Sequence, residues 1–123
     1  MPTSSKKVLI VEDDEIINRM LAFLFEHEGH YVKVAKNGID ALHALDEVVP
    51  DVIILDIKMP EMDGFEFYKR IKSNPIYEDI PVIIQTALTE ETHFERLEAL
   101  GANNYLQKPF SIEAIRERVY SVI

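Results

Sequence analysis

The chain has 123 residues, no cysteine and no tryptophan, with 47% hydrophobic and 28% charged residues. Thirteen Lys and Arg against 22 Asp and Glu leave a formal charge of −9. That length predicts a single domain, 1–123, able to bury a core without staples, and the lack of cysteine excludes disulfides, thiolate metal sites and thiol catalysis together. No apolar run reaches the ~20 residues that a membrane span needs. The opening residues run through Lys6 and Lys7 into Val8–Asp14 without the apolar segment of a signal peptide. A cytoplasmic protein is the expectation, with residues 1–5 as a flexible tail. The acidic balance argues against direct nucleic-acid binding, which needs clustered Lys and Arg. Some of the acid, instead, can gather around a metal.

Short apolar runs alternate with helical patterns. Val8-Leu9-Ile10-Val11 has no polar alternation and reads as a strand buried on both faces. Ile17, Met20, Leu21, Leu24 and Phe25 then recur at helical spacing, with Gly29 as the stop. Tyr31-Val32-Lys33-Val34 alternates, as expected of a strand nearer the sheet edge. Asn37-Gly38 is a turn signal before a helix with Leu42, Leu45 and Val48 inward, ending before Pro50. Val52-Ile53-Ile54-Leu55 is a second buried run ending in Asp56. Phe65, Tyr68 and Ile71 predict a short helix from about Gly64. Val82-Ile83-Ile84 is a third buried run ending at Gln85-Thr86, and a helix from about Glu90 to Leu100 follows. Asn104 to Gln107 reads as a short strand. Ser111 can cap a last helix burying Ile112, Ile115, Val119 and Val122.

Strands alternating with helices predict an α/β fold, a parallel sheet doubly wound by helices on both faces. Ligands of such sheets bind at the carboxyl ends of the strands, where strand order reverses. Those ends carry Glu12, Asp13 and Asp14, then Asp56, Thr86 and Lys108. Asp14 reads as a helix N-cap. Glu12, Asp13 and Asp56 converge on one crevice, and carboxylates crowded together take up a proton or a cation. Hard oxygen donors without His or Cys favour Mg²⁺. His27, His30, His43 and His93 share no strand end, so neither a histidine metal cluster nor a phosphohistidine is expected.

Glu12-Asp13, Asp56 with Pro60 and Gly64, Thr86-Ala87, Gly101-Ala102 and Tyr105 with Lys108-Pro109-Phe110 occur in order on these strand ends. From about Lys6 to Ile123 the chain resembles a response-regulator receiver domain of two-component signalling, of the chemotaxis-regulator type. The resemblance implies a flavodoxin-like five-stranded sheet of order 2-1-3-4-5 with five helices. It implies Asp56 as the acceptor of a phosphoryl group from a histidine kinase or histidine phosphotransfer protein. It also implies a Mg²⁺ held by Asp13, Asp56, the backbone carbonyl of Lys58 and, through water, Glu12. Many receivers have Asp where this chain has Glu12. Lys108, aimed by Pro109, and Thr86 would bind phosphoryl oxygens, with Tyr105 as the switch aromatic. The fourth helix, fifth strand and fifth helix would form the surface that meets a downstream protein or a second copy in a phosphorylation-dependent homodimer. Glu113, Arg116, Glu117 and Arg118 on the last helix are mixed in sign and read as a solvated face or a dimer contact. Lys58 and Leu88 should flank the path of the hydrolytic water. An apolar Leu88 cannot orient that water, so slow self-dephosphorylation is expected.

Three readings compete. The first is a phosphoaccepting switch, not an enzyme acting on other substrates. The second is a haloacid-dehalogenase-type phosphatase, which would place a second Asp where this chain has Lys58 and usually carries a cap insertion. The third is a pseudo-receiver scaffold that binds partners without phosphate. The output is open between a stand-alone regulator and the receiver part of a longer DNA-binding regulator.

Overall fold

The computed structural model describes residues 5–57, 64–86, 95, 97–99, 101, 102, 104–107 and 111–123. Strands β1 (Lys7–Val11), β2 (Tyr31–Ala35), β3 (Val52–Asp56), β4 (Val82–Thr86) and β5 (Tyr105–Gln107) form one parallel sheet in the order β2-β1-β3-β4-β5. The helices are α1 (Glu15–His27), α2 (Gly38–Glu47), α3 (Gly64–Lys72), α4, described at 95 and 97–99, and α5 (Ile112–Val122). The doubly wound α/β sheet of order 2-1-3-4-5 is the expected one.

The unbroken apolar runs follow from burial on both faces. Val8, Ile10, Val52, Ile54 and Ile83 pack with Leu21 and Phe25 of α1 and Ile115 and Val119 of α5. Their neighbours Leu9, Val11, Ile53, Leu55 and Ile84 face α2, α3 and Leu97 of α4. Among the described residues β2 is an edge strand paired only to β1, and Tyr31 is exposed there. Its burial does not follow the alternation, since Val32 is half-buried and Val34 is 39% exposed.

Some details differ from expectation. Met20 is 48% exposed because the inward stripe of α1 is Asn18, Leu21 and Phe25. In α2 the buried positions are Gly38, Ala41, Ala44 and Leu45, with Leu42 only half-buried. Val48 lies outside that helix, as its C-cap in extended conformation. α3 also buries Phe67 completely. β5 starts at Tyr105, one residue later than expected. Of the proposed tail, residues 1–4 lie outside the described residues, and Ser5 Oγ donates to the Gly29 carbonyl at 2.7 Å.

Helix ends obey local chemistry. Asp14, Asn37 and Ser111 are N-caps whose side chains accept backbone N–H groups of the first turn. Gly29 (φ 93°) and Gly101 (φ 80°) occupy the left-handed position that ends a helix. Around them His30 N–H reaches Phe25 O and Ala102 N–H reaches Leu97 O, closing the last turns of α1 and α4.

A polar cluster ties α5 to the end of α1, at the N-terminal edge of the sheet. His30 is buried, and its Nδ1 accepts the Lys6 N–H at 3.0 Å, so its Nε2 carries the proton toward Tyr120 Oη at 2.9 Å. Tyr120 donates to Glu28 Oε1 at 2.8 Å, and Arg116 Nε donates to Glu28 Oε2 at 2.7 Å. Burial pushes the Glu28 carboxyl up, but the Arg116 and Tyr120 bonds outweigh this and hold it below its ordinary value. Burial and the bond to Glu28 push the Tyr120 hydroxyl up to about 12. A folded-state value above the unfolded one means that this stabilisation is complete below about pH 10 and is lost as pH rises toward 12. In melts between these limits, the Tyr120→Phe variant should therefore show a shallower alkaline loss of stability than the parent chain.

Candidate functional site

The strand order reverses between β1 and β3, because the chain leaves β1 for β2 on one side and returns to β3 on the other. The crevice at such a point lies beyond the carboxyl ends of both strands. Here the ends supply Glu12 and Asp13 after β1 and Asp56 as the last residue of β3. One carboxylate oxygen from each lies within 4.8 Å of the others. Glu12 is fully buried, Asp56 is 4% exposed and Asp13 is exposed. Two buried acids beside a third are costly unless charge is compensated. The donor set is all oxygen, and one member opens to solvent. It suits a hard divalent ion that keeps part of its water shell.

Glu12 is held at every polar atom. Its N–H donates to Ala35 O at 3.0 Å, and its carbonyl accepts from Asn18 Nδ2. Its Oε1 accepts from Gln85 Nε2 at 3.0 Å, and its Oε2 from the Asp14 N–H at 3.1 Å. Asp14 itself accepts the Ile16 and Ile17 N–H groups at 2.9 and 3.1 Å. It caps α1, as expected, and is absent from the carboxylate cluster. Capping also sets where α1 starts, so Asn18 falls under the Glu12 carbonyl.

Asp56 is fixed from the far side of its strand. Its register partner is Gln85 of β4, and the Ile57 N–H donates to the Gln85 carbonyl at 3.3 Å. The chain then returns so that the Gly64 N–H donates to the Ile57 carbonyl at 2.7 Å. A Cβ at Gly64 would lie 2.5 Å from Ile57 Cα and 2.6 Å from Asp56 O. No positive φ is involved, so glycine is required here for space.

Thr86 ends β4, two strands from the Glu12 side and next to β3. Tyr105 opens β5 opposite Ile84; it is half-buried and packs against the core beneath α3 and α4. It also lines a shallow open cavity with Glu98, Gly101, Ala102 and Arg118. Lys58, Leu88 and Lys108 lie outside the described residues. The mixed charges of α5 are partly used within the chain: Arg116 pairs with Glu28 and Glu113, and Arg118 Nη1 donates to Asn104 Oδ1 at 2.7 Å. His27, His30 and His43 are not in the carboxylate cluster, and His93 lies outside the described residues. Gln85 was not expected at the site. Its signal was available, as a polar residue in an otherwise apolar buried run.

Among the described residues no helix is long and apolar enough to cross a membrane. The family profile described as "Response regulator receiver domain" matches residues 8–120. The chain is 41% identical over 115 residues to sporulation initiation phosphotransferase F of Bacillus subtilis, covering 94% of this chain and 91% of that protein. It is 40% identical to regulatory protein AtoC of Escherichia coli, spanning 92% of this chain and only 24% of AtoC. Chemotaxis protein CheY4 of Vibrio cholerae superposes with a TM-score of 0.88 at 32% identity, covering 98% of this chain and 100% of that one. Receiver domains are signalling phosphoacceptors in two-component response regulators, with phosphorylation by a kinase as their general function. On the profile match, the sheet order and these relatives, the chain belongs to the response regulator receiver domain family.

Proposed function

We propose that this chain is a Mg²⁺-dependent phosphoaccepting switch with Asp56 as the acceptor. The observation that carries the proposal is a buried Asp56 carboxylate grouped with Glu12 and Asp13 within 4.8 Å at the topological switch point. An Asp56 oxygen attacks the phosphorus of a phosphohistidine on a kinase or histidine phosphotransfer protein. As the new O–P bond forms the P–N bond breaks, and its electron pair returns to the imidazole, which takes a proton from solvent. Asp56 is left as an acyl phosphate.

Asp13, Asp56 and the Lys58 carbonyl would hold Mg²⁺ directly and Glu12 through water. When bound, the ion supplies positive charge that lets these carboxylates and the phosphoryl oxygens share one site. Thr86 and Lys108 take phosphoryl oxygens, and Tyr105 follows Thr86 inward. The added charge and three acceptor oxygens favour one of two arrangements of the surface built from α4, β5 and α5. That surface then meets a downstream protein or a second copy. Leu88 offers no hydrogen bond to a hydrolytic water, so Leu88→Glu is expected to shorten the phosphoryl lifetime several-fold, read as decay of the phosphorylated mass.

The test is intact-mass measurement after incubation with Mg²⁺ and acetyl phosphate. Gain of one phosphoryl group that needs Mg²⁺ supports the proposal. Turnover of added phosphate esters would make the protein a phosphatase, and no gain would make it a phosphate-independent scaffold.

A further inference from the structure

Gln85 is the polar member of a buried strand, with no solvent exposure. Val11 pairs with Leu55 and Asp56 with Gln85, so one residue beyond Val11 the side chains of Glu12, Asp56 and Gln85 share a row across three strands. Within that row Gln85 Nε2 donates to Glu12 Oε1 at 3.0 Å, spanning the strand that carries Asp56. The amide's own oxygen has no hydrogen-bond partner among the described residues. Burying an amide is costly, and the bond to Glu12 is the one the described residues give its side chain in return. Glu12, in turn, is fully buried, so the placement of its carboxylate depends on the donors that reach it.

We infer that Gln85 is a positioning residue for the metal site. It holds the Glu12 carboxylate in the orientation that receives a magnesium-bound water, and it ties that carboxylate to the strand ending at Thr86. The inference rests on the proposed Mg²⁺-dependent phosphoacceptor function. It assigns Gln85 no contact with the phosphoryl group. The glutamate's length matters here, since an aspartate at 12 would be one methylene short of the Gln85 amide.

The test is the Mg²⁺ dependence of phosphorylation by acetyl phosphate in the full chain. In Gln85→Leu the Mg²⁺ concentration for half-maximal rate should rise about tenfold, the scale expected when a group orienting a metal ligand is removed. High Mg²⁺ should recover most of the rate. In a Glu12→Asp background, where the contact is already lost, Gln85→Leu should shift the midpoint by less than about twofold. A fold that only needs a well-packed residue at 85 would give no such dependence on residue 12. Gln85→Met, measured alongside and checked by thermal melt without Mg²⁺, keeps the test informative if Leu packs poorly. A parent chain that takes no phosphoryl group overturns the underlying function. A parent chain that does, with the Gln85→Leu and Gln85→Met midpoints unmoved or only their plateaus lowered, overturns the role of Gln85 alone.

Discussion

An Asp56→Asn variant is expected to take no phosphoryl group from acetyl phosphate and, in Mg²⁺-free buffer, to melt above the parent chain. The first effect follows from chemistry. A carboxamide oxygen carries no full charge and is a poor nucleophile, and none of the neighbouring acids occupies the Asp56 position at the end of β3. The second follows from electrostatics. Carboxylate oxygens of Glu12, Asp13 and Asp56 lie within 4.8 Å of one another, where two unit charges repel by about 3 kcal/mol at an effective dielectric of about 20. Exposure of Asp13 and small relaxations reduce this, leaving a net gain of about 1 kcal/mol, or about 4 °C for a chain of this size. The order should reverse on adding Mg²⁺, because ligand binding stabilises the state that binds it and the parent binds more tightly. Paired melts with and without Mg²⁺, together with intact mass, check both effects.

Gly64→Ala is expected to be the most damaging single-methyl change near the site. The new Cβ would meet Ile57 Cα at 2.5 Å, Asp56 O at 2.6 Å and Ile57 O at 2.9 Å. All three are backbone atoms, so no side chain can rotate to make room. Overpacking of this kind costs about 2–3 kcal/mol, a fall in melting temperature of about 10 °C. The strain falls on the segment that carries Asp56. Phosphorylation at saturating Mg²⁺ should therefore slow by about tenfold, since small misplacements of a reacting group are costly. Melting and phosphorylation rate measured on one preparation separate the two losses.

The strands were legible because burial on both faces leaves an unmistakable run, as in Val52-Ile53-Ile54-Leu55. The acids that end β1 and β3 were legible for the complementary reason: a charged residue stops such a run where the chain reaches the sheet edge. Strand order was not readable from pattern, and came from the family resemblance. Helix faces were read less well. The inward residues of α2 include Ala41 and Ala44, whose small side chains carry little periodic signal, whereas Val48 fits the period but belongs to the cap. Met20 fits the period of α1, yet the buried stripe passes through Asn18, which is paid for by its bond to the Glu12 carbonyl. Within the site, Glu12, Asp13 and Asp56 converge as expected, and Asp14 is the cap. Gln85 was invisible to a search for charged groups at strand ends, because it acts through a neutral amide one residue before the strand ends. His30 was read only as sharing no strand end with the other histidines. Its structural part depends on Tyr120, 90 positions from His30 and 92 from Glu28 in sequence, a separation that no local pattern reports.

The central claim is that Asp56 carries the phosphoryl group, and borohydride trapping tests it most directly. After incubation with Mg²⁺ and acetyl phosphate, borohydride reduces an acyl phosphate to the alcohol, converting an aspartyl phosphate to homoserine. Peptide mapping should place homoserine at position 56 alone, and only in samples that contained Mg²⁺. Homoserine at Asp13 or another acid, or none at all despite a mass gain of one phosphoryl group, would contradict the account.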